Sequence, residues 1–166
     1  MNEITVYNTY SSYLKEKYKE KVYKLPISLP LTCPNRDGTL GYGGCIFCGV
    51  EGGSFENLPS SLSITEQLRK NREYIGEKYK AKKFIAYFQN FSNTYMPFEY
   101  FKSIINETLT EDIVGISIST RPDCISNEHL EYLSLIKEER NLEITLELGL
   151  QSVNYHSLIM VNRGHT

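Results

Sequence analysis

Apolar positions along the 166-residue chain follow two distinct patterns. Between the compact apolar runs, apolar residues recur three and four positions apart, which predicts helices that begin near Ile64, at Pro97 and after Ser126. The apolar runs themselves predict buried strands at 24–31, 84–88, 114–120 and 142–150. A strand therefore recurs about every 30 residues with a helix-length segment after it, which predicts consecutive βαβ units in a parallel sheet.

Two of the predicted helices carry capping signals at their first turns. Ser63 followed by Glu66 is typical of a capping box. Ser126 is expected to be an N-cap, with Ile125 and Leu130 as the two members of a hydrophobic staple. These signals fix where the helices start more firmly than the apolar spacing does.

The chain divides into a short extension, residues 1–22, and a main domain, residues 23–166. The extension is rich in Tyr, Lys and Glu, and it predicts a short amphipathic helix around Ser11 to Lys19. We expect this helix to cover an edge of the main fold.

A glycine-rich loop after the first predicted strand holds three of the four cysteines. Cys33, Cys45 and Cys48 are spaced as C-x11-C-x2-C, and the glycines permit backbone angles and close approaches that side chains forbid. A structural zinc site normally closes with four protein ligands, whereas three thiolates leave one iron of a [4Fe–4S] cluster open. A zinc site completed by a fourth residue stays an alternative, with Cys124, His129, His156 and His165 as candidates.

Composition restricts the setting in which these thiols act. The formal charge of -2 provides no global field for a polyanion, so any contact with nucleic acid would have to be local. The sequence shows neither an apolar run of membrane-spanning length nor a secretory signal at its start, so we expect a cytoplasmic protein without membrane contact. In a reducing compartment, four unevenly spaced cysteines are more typical of metal binding or burial than of a disulfide scaffold.

Four segments of the chain resemble radical S-adenosylmethionine enzymes. The run CPNRDGTLGYGGCIFCGVEGGSF, Cys33 to Phe55, is similar to their cluster loop, in the branch with a widened first spacing that includes the radical domain of the elongator-complex catalytic subunit. The likeness points to the largely uncharacterised bacterial YhcC/YtqA-like branch, and the commoner C-x3-C-x2-C spacing is absent. Three later segments and the tail NRGHT fit the same resemblance: YFQNFSNTY (87–95), SISTRPDCI (117–125) and ELGLQS (147–152).

The resemblance implies an α/β fold, a partial (β/α) barrel of the radical S-adenosylmethionine type with a parallel sheet. Enzymes of this class usually have six βα units, and about four are present here. Residues 23–166 would then be the N-terminal part of the core domain, and the chain a fragment of a longer protein.

The resemblance also implies two cofactors. Cys33, Cys45 and Cys48 would hold a [4Fe–4S] cluster, whose open iron is chelated by the amine and carboxylate of S-adenosylmethionine. An electron, supplied by a donor such as flavodoxin or ferredoxin, would cleave the sulfonium to methionine and a 5′-deoxyadenosyl radical that abstracts hydrogen from a substrate. The enzyme would be an oxidoreductase or a transferase. Its substrate is not identified, although relatives that act on tRNA make RNA modification one candidate.

Polar residues at the predicted strand ends are the candidates for holding S-adenosylmethionine. Phe47 would lie beside the adenine, or it serves only as a loop anchor. The family's glycine-rich amine-binding motif is not recognisable after the second strand. Its place is taken by residues that are candidates for the methionyl ammonium and carboxylate: Gln89, Asn90, Ser92 and Asn93.

The third and fourth strands supply the remaining cofactor candidates. Ser117 and Ser119 alternate with apolar residues, so both hydroxyls should point to one face. Arg121 can grip a carboxylate with two parallel hydrogen bonds or pair with Asp123. Glu147 lies within an apolar strand and needs a cation or hydroxyl donors such as a ribose, with an ion pair to Arg121 as the alternative.

Gln151, just beyond the fourth strand, completes the cofactor candidates. The sequence identifies no residue that relays or quenches the radical.

Two other functions start from the same sequence. One is a zinc-stabilised, non-catalytic module that binds nucleic acid or protein through its tyrosines and lysines. The other is an α/β interaction fragment whose cysteine loop is disordered without metal.

The predicted fourth strand, Ile144 to Leu148, should leave an exposed sheet edge with unpaired backbone and apolar neighbours. We therefore expect this chain to self-associate or to have low activity. Analytical sedimentation measures the association, and a stable monomer with an unpaired fourth strand contradicts it.

Overall fold

A computed structural model describes residues 7–52 and 57–165, so residues 1–6 of the predicted extension, residues 53–56 of the cysteine segment and Thr166 lie outside it. Four strands form one sheet in chain order, and every neighbouring pair is parallel. The strands are β1 Val22–Ile27, β2 Lys83–Phe88, β3 Ile113–Thr120 and β4 Glu143–Leu148. The predicted α/β class and parallel sheet are confirmed, and the arrangement is consistent with a partial βα barrel.

Five helices accompany these strands: α1 Tyr10–Tyr18, α2 Ile64–Tyr79, α3 Phe98–Glu107, α4 Asn127–Arg140 and α5 Tyr155–Met160. The first four follow the sequence patterns closely. The six-residue α5 was not predicted, because so short a segment shows little periodicity. Within the described ranges, none of the helices combines the length and hydropathy needed to cross a bilayer.

The capping signals account for two of the helix starts. Ser63 Oγ accepts a hydrogen bond from the backbone N–H of Glu66 at 3.2 Å, at the first turn of α2. At α4, the backbone N–H of Ser126 donates to Nδ1 of His129 at 3.3 Å, so a histidine takes the place that glutamate holds in the usual capping box. Pro97, predicted as the first residue of α3, is its N-cap, so the helix begins one residue later than predicted, at Phe98.

The two faces of the sheet differ in chemistry. One face packs against α2, α3 and α4 and forms the main core, with fully buried Leu25, Ala86 and Ile116 at its centre. Side chains alternate between faces along a strand, so the opposite face receives the polar residues, including Lys24 and Glu147. Burial of the apolar face supplies most of the stabilisation, at roughly 25 cal/mol per Å² of apolar surface.

Helix α1 covers part of this opposite face, not an edge of the sheet as predicted from the sequence. Leu14 packs with Val22 and Ile85 in a second, smaller cluster. Lys17 and Tyr18 reach across to the carboxylate of Glu143 on β4, where Tyr18 Oη donates at 3.1 Å. A helix with one buried leucine and several long polar side chains lies better on a polar face than along an apolar edge.

Gly115 on β3 is expected to be required for the pairing of β3 with β4. A Cβ at this position would lie 2.9 Å from the backbone carbonyl of Glu143, which has little freedom to move within the sheet. Gly115→Ala should lower the free energy of unfolding by about 1–3 kcal/mol, the usual range for overpacking. Denaturant unfolding measures the change.

Gly49→Ala is the matched control, because a Cβ there meets nothing within 4 Å. Equal stability of the two variants would contradict the tight contact between β3 and β4.

Candidate functional site

The three loop cysteines line one cavity of about 370 Å³ at the carboxyl ends of the strands. Parallel strands bring their following loops to the same end of a sheet, which is where α/β proteins place their sites. Of the residues proposed from the sequence, these contribute to the wall: Cys33, Cys45, Phe47, Cys48, Ser92, Ser119, Arg121, Glu147 and Gln151.

The cysteine loop is folded by hydrogen bonds of its own backbone. The N–H of Arg36 donates to the carbonyl of Cys33 at 2.7 Å, and the N–H of Cys48 donates to the carbonyl of Cys45 at 2.9 Å. Gly44 has a φ of +83°, and a Cβ there would lie 2.9 Å from Nε of Arg36. The glycine just before the C-x2-C step is therefore required by both its backbone angle and its neighbour.

Each of the three sulfur atoms receives a guanidinium donor. Nη2 of Arg36 lies 3.3 Å from Sγ of Cys48. Nη1 of Arg121 lies 3.7 Å from Sγ of Cys33, and Nη1 of Arg163 lies 3.7 Å from Sγ of Cys45. Neither Arg36 nor Arg163 is among the site residues predicted from the sequence. Arg36 lies inside the cysteine motif, and that position was a signal that could have identified it as a site residue. No feature of the sequence pattern placed Arg163 and the tail beside Cys45.

The residues named as candidate fourth zinc ligands all lie outside the wall of this cavity. Burial raises the pKa of the Cys124 thiol to about 11. His129 is buried and packs edge-on against Phe98 and Phe101. Over residues 7–52 and 57–165, no three Cys, His, Asp or Glu side chains are placed to hold a metal ion.

Arg121 makes the ion pair that the sequence analysis gave as one of its two alternatives. The side chain is 1% exposed and holds Asp123 with two hydrogen bonds of 2.8 and 2.6 Å. Burial alone would raise the pKa of Asp123, but the bonds from Arg121 outweigh it and keep that pKa below its usual value. The remaining donors of Arg121 reach Asn35 Oδ1 at 3.0 Å and Cys33, so this guanidinium is held within the protein.

The carboxylate of Glu147 is surrounded by four donors on the polar face of the sheet. Oε1 accepts from Lys24 at 2.6 Å and Ser117 at 2.8 Å, and Oε2 accepts from Tyr87 and Ser119, each at 2.9 Å. Both serines lie on this face, as their alternation predicts. The cation is Lys24 on β1, not Arg121. Burial opposes ionisation of Glu147, but these donors prevail and lower its pKa from 4.5 to about 2.

The polar residues after β2 point in different directions. Ser92 faces the cavity, with Oγ 3.5 Å from Sγ of Cys33. Asn93 is turned into the protein, where Nδ2 donates to the carbonyls of Phe88 and Ser119. Asn90 and Gln89 line two other cavities, one beside Asn57 and one along β1. Of the four residues expected to hold the methionyl group, only Ser92 therefore borders the cysteine cavity.

Phe91 borders the cavity although the sequence analysis did not select it. It has a φ of +61° and lies close to Gly52, where a Cβ would be 2.8 Å from the ring. The guanidinium of Arg36 lies 5.4 Å from the ring centroid, within the range of a cation–π contact. With Phe47, which is half-exposed, this ring gives the cavity an aromatic portion.

The tail after α5 contacts the cysteine loop, and its Arg163 lines the cavity. The backbone N–H of Ile46 donates to the carbonyl of Val161 at 3.1 Å, and Nδ2 of Asn162 donates to the carbonyl of Gly44 at 2.8 Å. Nη2 of Arg163 donates to the carbonyl of Gly149 at 2.6 Å. The tail thus connects the loop after β4 to the loop that holds the cysteines.

The chain is similar to curated proteins from bacteria and an archaeon, while no family model matches it. The uncharacterized protein YtqA of Bacillus subtilis strain 168 is 40% identical over 161 residues, which are 96% of this chain and 49% of YtqA. Protein YhcC of Escherichia coli K12 is 37% identical over 95% of this chain and 50% of YhcC. The uncharacterized protein MJ0486 of Methanocaldococcus jannaschii is 38% identical over 94% of this chain and 48% of MJ0486. The chain spans about half the length of these relatives, and their names state no activity.

Replacement of Glu147 tests how much the hydrogen bonds from its four donors depend on the negative charge of the carboxylate. Glu147→Gln keeps the size of the side chain but sets an amide against Lys24 and the hydroxyl donors. We expect the free energy of unfolding to fall by about 1 kcal/mol at pH 7, after allowance for solvent screening of a carboxylate that is 34% exposed. Folding lowers the pKa of Glu147. The wild type is therefore more stable than the variant above about pH 4.5, and this difference in stability is lost as the pH falls toward 2.

Denaturant unfolding at pH 7, 4 and 3 measures this difference. Glu73→Gln, which breaks an exposed ion pair with Arg69 on α2, is the control and should change stability little at any pH. A difference between wild type and Glu147→Gln that stays constant down to pH 3 would contradict the role assigned to the charge.

Proposed function

We propose that this chain forms the cluster-binding part of a radical S-adenosylmethionine enzyme. The observation that carries the proposal is that Cys33, Cys45 and Cys48 line one cavity at the carboxyl ends of a parallel sheet. Their C-x11-C-x2-C spacing supplies three thiolates, one fewer than a closed tetrahedral site takes.

The groups around the three sulfur atoms suit an iron–sulfur cluster, although over residues 7–52 and 57–165 the three thiols are not gathered into a site for a metal ion. A cluster held by thiolates is negatively charged, and each of the three sulfur atoms has a guanidinium within 3.7 Å. Cys33 also receives the hydroxyl of Ser92, and Cys45 receives the amide of Asn35, each at 3.5 Å. Hydrogen bonds to the ligand sulfurs and partial exclusion of solvent are the means by which proteins stabilise such clusters.

The rest of the cavity has the groups that S-adenosylmethionine requires. Its volume of about 370 Å³ lies within the usual range for small-molecule sites. Phe47 and Phe91 offer flat apolar surfaces for an adenine, and Ser92, Ser119 and Gln151 offer polar contacts for the sugar and the methionyl group. When bound, the cluster and its cofactor would supply one-electron cleavage of a carbon–sulfur bond and hydrogen abstraction.

The protein's own residues would bind, orient and shield these groups. Cys45 is 5% exposed, so the loop keeps water from at least one sulfur. Glu147 is already saturated by four donors, so its oxygens hold Tyr87 and the cavity-lining Ser119 in fixed orientations. This arrangement supports a positioning role for Glu147 more than direct recognition of a ribose.

The wider setting is part of the same proposal. We propose that the enzyme is cytoplasmic, accepts electrons from a flavodoxin or a ferredoxin, and acts as an oxidoreductase or transferase on a substrate for which tRNA is one candidate.

Anaerobic reconstitution with iron and sulfide should give about four irons and four sulfides per chain, with the brown colour of a [4Fe–4S] cluster. Cys33→Ala, Cys45→Ala and Cys48→Ala should each lose most of the iron, because a single missing thiolate leaves two corners of the cluster open. Cys124→Ala is the matched control and should keep it, since Cys124 lies outside the cavity wall. One tightly held zinc ion per chain would instead favour the non-catalytic zinc module.

Turnover is tested by adding dithionite and S-adenosylmethionine to the reconstituted protein and measuring 5′-deoxyadenosine. We expect it to form, at the low rate expected of this chain, in the wild type and in Cys124→Ala, and to be absent in the three cysteine variants. A full cluster content without 5′-deoxyadenosine would contradict the enzymatic part of the proposal while leaving cluster binding in place.

A further inference from the structure

Three arginines from separate parts of the chain contact the cysteines of the site. Arg36 lies in the cysteine loop, Arg121 follows β3, and Arg163 lies in the tail after α5. Each approaches a different sulfur atom, at 3.3 Å for Cys48, 3.7 Å for Cys33 and 3.7 Å for Cys45. We call these three side chains the arginine collar.

Within the described ranges, two members of the collar have no carboxylate partner. Arg121 is paired with Asp123, but the ion pairs of residues 7–52 and 57–165 include neither Arg36 nor Arg163. Their other contacts are to neutral groups: Arg36 donates to the carbonyls of Cys48 and Gly49, and Arg163 donates to the carbonyl of Gly149. Two guanidinium charges beside the sulfurs are therefore not compensated by acids of the described chain.

The backbone fixes this arrangement. In Arg163, Nη2 donates to the carbonyl of Gly149 and Nη1 is directed at the sulfur of Cys45. In Arg36, one nitrogen, Nη2, contacts the sulfur of Cys48 and the carbonyls of Cys48 and Gly49. Arg36 is confined further by the ring of Phe91 and by the close approach of Gly44. At position 163 a lysine keeps the positive charge but cannot contact a carbonyl and a sulfur with two nitrogens of one planar group.

We propose that the arginine collar stabilises the negative charge of the cluster and raises its reduction potential. This inference rests on the proposed function, since it requires a cluster on the three cysteines. Reduction adds one electron to an already anionic group, and nearby positive charges and N–H donors to sulfur favour the reduced state. The collar would thereby bring the cluster within reach of a one-electron donor protein.

The test is a redox titration of the anaerobically reconstituted chain with dithionite, followed by the electron paramagnetic resonance signal of the reduced cluster. Arg36→Gln and Arg163→Gln should each lower the equilibrium constant for reduction of the cluster at least tenfold. This corresponds to a reduction potential lower by about 59 mV for a one-electron couple. Arg36→Lys and Arg163→Lys should show smaller shifts. Arg69→Gln, which removes an exposed arginine of α2, is the matched control and should leave the potential unchanged.

The outcomes separate this inference from the proposed function. Unchanged reduction potentials in both glutamine variants, with full iron content, overturn the proposed role of the collar and leave cluster binding intact. A wild-type chain that assembles no cluster overturns both. If a glutamine variant loses its iron, the lysine variant decides: recovered iron content supports a role for the charge, and an equal loss in both variants overturns it.

Discussion

The buried side chain of Asn35 joins the three segments that make up the site. It is 1% exposed, and its Nδ2 donates to the carbonyl of Asn162 and to Sγ of Cys45. Its Oδ1 accepts from Arg121 at 3.0 Å and from the backbone N–H of Gly164 at 3.1 Å. A buried amide must satisfy both its donors and its acceptor, so the cysteine loop, the end of β3 and the tail are held in one fixed relation.

Gly164 is part of this constraint, because a Cβ there would lie 2.5 Å from Oδ1 of Asn35. The tail approaches closely only because this position has no side chain. Arg163, the preceding residue, is thereby placed against Cys45 and Gly149. The geometry of the cavity thus depends on a glycine that sequence reasoning left without a role.

The two faces of the sheet have different roles: one stabilises the fold, and the other carries the polar residues. The face toward α2, α3 and α4 is apolar and supplies the core. The other face gathers Glu147 with its donors from three neighbouring strands, and α1 covers it near the beginnings of the strands. A carboxylate at this depth is stable only because all four donors converge on it, which the parallel register of the strands makes possible.

The sequence by itself determined the class of fold and the described elements other than α5. Local signals account for this, because apolar periodicity and the cap at Ser63 depend on neighbours a few residues away. The same local logic placed Ser117 and Ser119 on one face and identified Cys33, Cys45 and Cys48 as a set. It failed where partners lie far along the chain: Lys24 pairs with Glu147 across 123 residues, and Arg163 reaches Cys45 across 118.

Only the tertiary structure decided which polar residues face the cavity. Asn93 and Ser92 are adjacent in the chain, yet one is turned inward to the carbonyl of Ser119 while the other faces Cys33. His129 is buried by aromatic rings of a neighbouring helix that its own helix pattern does not reveal. Such orientations are set by hydrogen bonds and packing between distant segments, whereas a pattern of residues along the chain encodes only the spacing of near neighbours.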